Sequence, residues 1–254
     1  VSLDPISPWR PIALAERLRE AMARRDDRES LGHARGGRDV CWLSDDPEPL
    51  VTIRITTYNR AQLLAERALA SALRQTYERL EILVVGDGTD AETDRMMAGV
   101  TDPRVRYVNL RRMAPVVPAG HAYWATLGVR AMNAAIVLAR GEWLAPLDDD
   151  DEFTDDHCEV LLREAQRQRL EFVYSVSELT PRGGAIGAWP MRSSGLTHGS
   201  VLYSMGLGFM QYNPNCWRRG EPQDWNLFRR MAEIGVRVGF LDRVTYRYFV
   251  RDGE

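Results

Sequence analysis

The sequence predicts an α/β fold: a Rossmann-like, mostly parallel central sheet flanked by helices, carrying an N-terminal helical arm. Three observations predict it. Between residues 50 and 151, β-branched or apolar runs alternate with amphipathic helical stretches, the pattern of a parallel sheet. One run, Leu80-Glu81-Ile82-Leu83-Val84-Val85, is almost continuously apolar, as a strand covered on both faces is. Another, Trp143-Leu144-Ala145-Pro146-Leu147, ends abruptly in Asp148-Asp149-Asp150-Asp151. Open α/β sheets bind their ligands outside the carboxyl ends of such strands.

The chain has 254 residues, enough for one domain with an added arm and a sizeable core. Its 33 Lys and Arg against 36 Asp and Glu leave a formal charge of −3. No basic block or face dominates, which argues against nucleic acid as the main partner. No apolar run is long enough to be an integral membrane segment. The opening Val1-Ser2-Leu3-Asp4-Pro5 lacks the basic-then-apolar layout of a signal peptide. Cys41, Cys158 and Cys216 are odd in number, far apart and without metal-type spacing. Reduced thiols and a cytoplasmic protein are expected.

Residues 1–48 read as a helical extension and linker. After an irregular lead-in at Pro8 and Pro11, residues 12–23 read as an amphipathic helix with Leu14, Leu18, Ala21 and Met22 on one stripe. That stripe is expected to pack on the main domain or on another subunit of a homo-oligomer. A charged loop over 24–39 follows, then a short edge strand at Cys41-Trp42-Leu43 and a linker, Asp45-Asp46-Pro47-Glu48-Pro49.

The main domain, 49–254, divides at the acidic run into two halves, 49–151 and 152–254. Its first strand is Leu50-Val51-Thr52-Ile53-Arg54-Ile55-Thr56, rich in β-branched residues. Helices are expected at 61–75, 91–97, 128–139, 157–169 and 225–234, and further strands at 105–108 and 172–176. Residues 111–127 and 181–199 read as loops, 200–210 as mixed structure, and 236–240 and 244–249 as two closing strands.

Four adjacent carboxylates repel one another, so the acidic run invites a cation. In extended backbone Asp148 and Asp150 point the same way and can share one hard divalent ion, Mg²⁺ or Mn²⁺. The competing reading is a solvated turn, with Asp151, Asp155 and Asp156 favouring the N-terminus of helix 157–169. Gly86-Asp87-Gly88-Thr89-Asp90-Ala91 fits a dinucleotide-binding fingerprint. The carboxylate which that motif requires after the next strand is missing, since the strand ends in Asn109-Leu110-Arg111-Arg112. Asp87 is better placed to accept the imino N–H of a pyrimidine base. The acidic run also fails the pattern of haloacid-type phosphatases, because Asp151-Glu152 stands where Thr or Val is needed.

Taken in order, five stretches carry a resemblance. Thr57-Tyr58-Asn59-Arg60 lies at a strand end, Val85-Gly86-Asp87-Gly88-Thr89-Asp90 in a loop, and Asn133–Glu142 on a helix and turn. Leu147-Asp148-Asp149-Asp150-Asp151 and Gly220-Glu221-Pro222-Gln223-Asp224-Trp225-Asn226-Leu227-Phe228 complete the set. Together they resemble the inverting family-2-type glycosyltransferases of the GT-A fold, over about residues 50–250. The resemblance implies that Thr56 and Tyr58 line a nucleobase pocket, with Asp87 binding uracil or another base. Arg60 and Arg130 face a diphosphate. Asp148 and Asp149 belong to the nucleotide-sugar site, Asp150 holds the metal, and Asp224 is the general base. Trp189, His198 and Trp217 are the acceptor-side candidates. The donor implied is a nucleotide-diphosphate sugar, UDP-linked, and the acceptor a hydroxyl of unknown identity.

The sequence departs from the family pattern at four places. Gly86 replaces the first Asp of its loop, Gln223 a common Glu, and Met132 a usual Arg. No C-terminal His stands in Tyr246–Arg251, where Arg247 or Arg251 is left as a phosphate contact. The alternatives are a nucleotidyltransferase acting on sugar phosphates, whose Gly-rich basic loop is absent here, and a non-catalytic sugar-nucleotide-binding protein.

Overall fold

The computed structural model describes residues 10–113, 120, 122 and 125–250. His121, Arg251, the lead-in before residue 10 and most of the loop 111–127 lie outside the described residues.

Strand β1 (Val51–Thr57) is the centre of the parallel half. It pairs in parallel with β2 (Leu80–Gly86) on one side and β4 (Trp143–Asp148) on the other, and β3 (Val105–Asn109) extends the sheet beyond β2. Helices connect these strands. Residues 61–73 form α2, with a π-turn at Leu64–Leu69. Helix α3 spans Ala91–Ala98 and α4 Val129–Leu138. The register sets Thr56 beside both Val85 and Asp148, so three strands end at one level. The predicted parallel α/β sheet is present.

The second half supplies β5 (Glu152–Phe153), α5 (His157–Gln168), β6 (Phe172–Thr180), β7 (Ala185–Ile186), β8 (Val201–Ser204), α6 (Gln223–Glu233) and β9 (Val238–Phe249). The sheet order is β3-β2-β1-β4-β8-β6-β9-β5, with β7 added to β6. The stretch read as mixed, 200–210, therefore contains an interior strand. Only four residues long, β8 runs antiparallel between β4 and β6 and is fully buried. The two closing strands are one, β9, whose break against β6 is a bulge near Ser175–Ser177.

Strand alternation divides the core. Val51, Ile53 and Ile55 face α2 and α5, together with Leu64, Ala68 and Leu161. The opposite face packs α4 and α6, through Met132, Ile136, Leu227, Phe228 and Met231, on Leu144, Phe172 and Tyr203. Thr52 and Arg54 lie on this second side by alternation, and both are fully buried. The Thr52 hydroxyl donates to Glu81 at 2.7 Å and accepts from Gly141 N–H at 2.9 Å, which satisfies it inside the sheet.

The N-terminal arm differs from its reading. Helix α1 runs Arg10–Arg35, so the charged segment taken as a loop is helical. Arg, Glu and Ala are good helix formers, and Leu31 anchors the last turns in the second core. Arg35 and Glu171 make a two-point ion pair at 2.8 and 2.6 Å that ties the end of α1 to β6. The edge strand expected at Cys41-Trp42-Leu43 does not form. Val40, Cys41 and Trp42 are buried, but Cys41 bonds side chains: its N–H donates to Glu171 and its carbonyl accepts from Ser204. Gly206 permits this approach, since a Cβ there would stand 1.8 Å from Cys41 O.

Candidate active site

The acidic run relieves its own repulsion by sending its side chains to different partners. Asp148 Oδ1 lies 2.8 Å from His198 Nδ1. Asp149 accepts from the Thr57 hydroxyl and from Arg60, both at 2.8 Å. Asp150 Oδ2 is 3.2 Å from the same Arg60 nitrogen, while its carbonyl accepts from Arg67 at 2.8 Å. Asp151 accepts from Tyr246 Oη at 2.5 Å and Phe249 N–H at 2.7 Å, which ties β9 to the end of β4. Burial pushes Asp149 up to about 6, with Arg60 opposing. It raises Asp151 well above the carboxylate range, helped by the charge of Asp148. The solvated-turn reading fails on this burial: Asp149, Asp150 and Asp151 are all buried.

Two arginines reach the run from α2 and its entry. Arg60 precedes the helix, and Arg67 stands on the π-turn with its guanidinium 3.9 Å over the Phe249 ring. Single π-turns inside helices recur at functional sites because they re-aim side chains; here one lies under the acidic loop.

A second cluster forms at the end of β2. Asp87 N–H donates to Thr57 O at 3.0 Å. The Asp87 carboxylate accepts from Arg130 at 2.9 and 3.1 Å. Arg112 donates to Asp87 O at 3.0 Å and lies 4.1 Å over the Tyr58 ring. Exposed Tyr58 and Arg112 with half-buried Asp87 and Arg130 thus make one aromatic and charged wall, and half-buried Thr56 lies on the adjoining strand end. Gly86 has a local cause. A Cβ there would stand 2.9 Å from Asn109 Oδ1, and that oxygen accepts from Thr89 N–H at 3.0 Å. Asn109 closes the loop in the space that a side chain at 86 would take.

The third cluster is buried and was not legible in the sequence. Arg54 Nη2 lies 2.8 Å from both His198 Nε2 and Tyr212 Oη. Arginine has no acceptor, so Nε2 accepts, and the ring proton sits on Nδ1 facing Asp148. Among the described residues, Arg54 Nε and Nη1 and Tyr203 Oη have no hydrogen-bond partner. The one available signal was a lone arginine inside the run Thr52-Ile53-Arg54-Ile55, since a charge is costly to bury without purpose. Nothing local marks Tyr212.

Asp224 opens α6, where its Oδ1 accepts from Trp225 N–H at 2.7 Å. Burial raises its pKa, and the charge of Asp148 adds to the rise. The charge of His198 opposes the rise, and burial outweighs it. Asp148, His198 and Asp224 therefore share one electrostatic neighbourhood, although they are separated in sequence and stand on three elements. Among the acceptor-side residues, Trp189 is exposed and Trp217 sits beside Arg218, 5.4 Å from its ring. Arg247 is paired with Glu152 and Glu178. The carboxylate neighbouring Gln223, Glu221, bonds Asn226 and Arg229 and so braces α6.

Carboxylate oxygens are the ligands that hard divalent cations prefer. Asp148 and Asp150 offer carboxylates two residues apart, and among the described residues no group of three or more His, Cys, Asp or Glu could hold a metal ion without further ligands. Mg²⁺-like ions take one or two carboxylates and leave other positions to phosphates and water.

A mostly parallel sheet with flanking helices and three strand ends at one level is the α/β architecture of the GT-A class. Solved structures share this fold. The Staphylococcus aureus TarS 1-349 complex with UDP-GlcNAc superposes with a TM-score of 0.63 at 15% identity, over 81% of this chain and 60% of that one. The Pyrobaculum calidifontis mannosyltransferase PcManGT, in complex with GDP-Man and Mn²⁺, does so with 0.60 at 19%, over 96% and 70%. Residues 52–113 and 127–231 match the model of glycosyl transferase family 2, and the chain belongs to that family. It is 34% identical over 124 residues to the putative colanic acid biosynthesis glycosyl transferase WcaA of Escherichia coli K12, covering 48% of this chain and 39% of WcaA. It is 36% identical over 120 residues to the succinoglycan biosynthesis protein ExoO of Rhizobium meliloti, covering 47% and 31%. An E. coli chondroitin synthase is 27% identical over 203 residues, 74% of this chain and 27% of the synthase. The chain thus spans well under half the length of these relatives.

Proposed function

We propose that this chain transfers a sugar from a nucleoside-diphosphate donor, UDP-linked, to an acceptor hydroxyl with inversion, using a divalent cation and Asp224 as general base. The observation that carries the reading is the shared environment of Asp148, His198 and Asp224 at the mouth of β4. It puts a candidate base beside the acids that would face the donor sugar.

In this reading Tyr58 and Asp87 hold the base, Asp87 by accepting an imino N–H. Asp150, with Asp148 beside it, would hold the cation, which when bound supplies charge neutralisation for the departing diphosphate. Arg60 adds a fixed positive charge beside the same acids. Asp149, held by Thr57 and Arg60, fixes the loop that presents Asp150. His198 orients Asp148 through Nδ1. Asp224 takes the proton of the acceptor hydroxyl as that oxygen attacks, which requires its ionised form. The acid-raising environment then suits the task, since a base with a raised pKa holds the proton more firmly. In this reading Trp189, His198 and Trp217 would border the acceptor, and the linker near 48 would separate the arm from the catalytic domain.

The test is nucleoside-diphosphate release from a panel of nucleotide sugars with Mn²⁺ or Mg²⁺, and the anomeric configuration of the product by NMR. Release that Asp224→Asn abolishes, with an inverted product, supports the reading. Pyrophosphate as the product assigns a nucleotidyltransferase instead. Nucleotide-sugar binding with no turnover in wild type assigns a non-catalytic binding protein.

A further inference from the structure

Helix α1 grips the body of the protein through its charged side and turns its apolar side outward. Glu16 and Glu20 are only 4% and 8% exposed, whereas Leu14, Leu18 and Met22 are 58%, 58% and 77% exposed. The inversion has a cause. Glu20 accepts from Arg219 at 2.7 Å, Arg229 at 2.8 Å and Asn226 at 2.8 Å, and Glu16 accepts from Asn213 at 2.9 Å. Further along, Arg24 pairs with Glu233 at 2.7 Å. The body offers this helix arginines and amides, so its acids are what it buries.

Over residues 14–25 the outward face is apolar and basic, and the exposed acids Asp26 and Glu29 come only after it. At about 3.6 residues per turn, Leu14, Leu18, Ala21 and Met22 form a continuous stripe. Arg17 lies along one edge, Arg19 along the other, and Arg25 continues it; all three are exposed. The only acids between residues 14 and 25 are Glu16 and Glu20, and both are turned inward. Within residues 14–25, an apolar stripe edged by arginines with both acids turned inward is complementary to a surface that is apolar below and negative above. A second copy of the same face would set arginine against arginine.

We infer that the outward face of α1 docks on an anionic lipid surface, with Leu14, Leu18 and Met22 entering the acyl boundary and Arg17, Arg19 and Arg25 meeting the headgroups. The helix rests on Arg219, Asn226 and Arg229, so its acid-bearing side is held by the body and its apolar side is left to the lipid. The surface proposal does not depend on the catalytic reading, because its readout is binding.

The experiment is co-sedimentation of the full chain with vesicles of phosphatidylcholine alone and of phosphatidylcholine mixed with phosphatidylglycerol. The expected result is binding only to the anionic vesicles, weakened by salt. The double variant Leu18→Ser/Met22→Ser should lose about tenfold or more in partitioning. Arg17→Gln/Arg19→Gln should lose about fivefold per arginine removed. All four side chains are exposed, and an unchanged melting curve serves as the fold control. Three results would overturn the inference: wild type left in the supernatant with anionic vesicles, variants that pellet like wild type, or a wild-type dimer in sedimentation velocity that Leu18→Ser/Met22→Ser splits. The last would assign the face to a second copy of the chain.

Discussion

Arg54 meets His198 at 2.8 Å inside the protein, and the other nitrogen of that imidazole lies 2.8 Å from Asp148. A fully buried guanidinium thus stands one residue away from the acidic run, with two of its nitrogens unpaired among the described residues. That arrangement is poor as a stability device. Removing a buried charge whose partners can satisfy each other is often neutral or stabilising. Here they can, because His198 Nε2 is already 2.9 Å from Tyr212 Oη. Arg54→Met should therefore stay within about 1 kcal/mol of wild type in denaturant melts. Transfer should fall by about 10²-fold as Asp148 loses its fixed orientation. A large stability loss with full activity would contradict the positioning role.

Asp224→Asn should lower kcat by about 10²- to 10⁴-fold while leaving nucleotide affinity intact. In wild type the base works ionised and its pKa is raised by burial. Activity should therefore rise with pH through a limb above the ordinary carboxylate value of about 3.9. A kcat profile flat across pH 4 to about 7 would remove Asp224 from the proton transfer.

His157 stacks on Phe153 at 3.7 Å and its Nδ1 lies 2.7 Å from Thr245 Oγ1. Burial lowers its pKa from 6.5 to about 3. Between those values the unfolded chain binds a proton that the folded chain refuses, so stability falls as pH falls. The expected loss is about 2 kcal/mol between pH 6.5 and about 5. His157→Gln should be less stable at neutral pH but show a flatter dependence over the same interval. Equal slopes in urea melts of both proteins would locate the acid sensitivity elsewhere.

Glu20 and Leu18 lie two residues apart on α1 and should behave oppositely to their hydropathy. Glu20→Ala leaves Arg219 and Arg229 short of a partner in a buried setting and should cost about 2 kcal/mol. Leu18→Ala removes an exposed side chain and should change stability by less than about 0.5 kcal/mol. Thermal melts of the two variants decide it.

Nucleoside diphosphate with Mn²⁺ should raise the melting temperature, in step with about 2.7 kcal/mol at a hundredfold excess over Kd. EDTA should remove the shift, and so should Asp150→Ala. A shift that survives both would leave Arg60 and Arg130 as sufficient anchors and remove the cation from donor binding.

The sequence by itself determined the alternation of strand and helix, the parallel half of the sheet, and the placing of Asp87 and Asp148 at strand ends. These follow from local periodicity, which each segment carries within itself. It also carried the motifs of the family, and with them Asp150 and Asp224. Tertiary structure decided what each acid faces. Arg54 and His198 are 144 residues apart, and the pairs that bury Glu20 span 199 and 209. No local pattern contains such a partner, so hydropathy alone could not show that the stripe of α1 faces away from its own domain. A side chain's burial depends on the chemistry that folding brings against it. Here that chemistry was a set of arginines and amides, which took the glutamates inward and left the leucines outside.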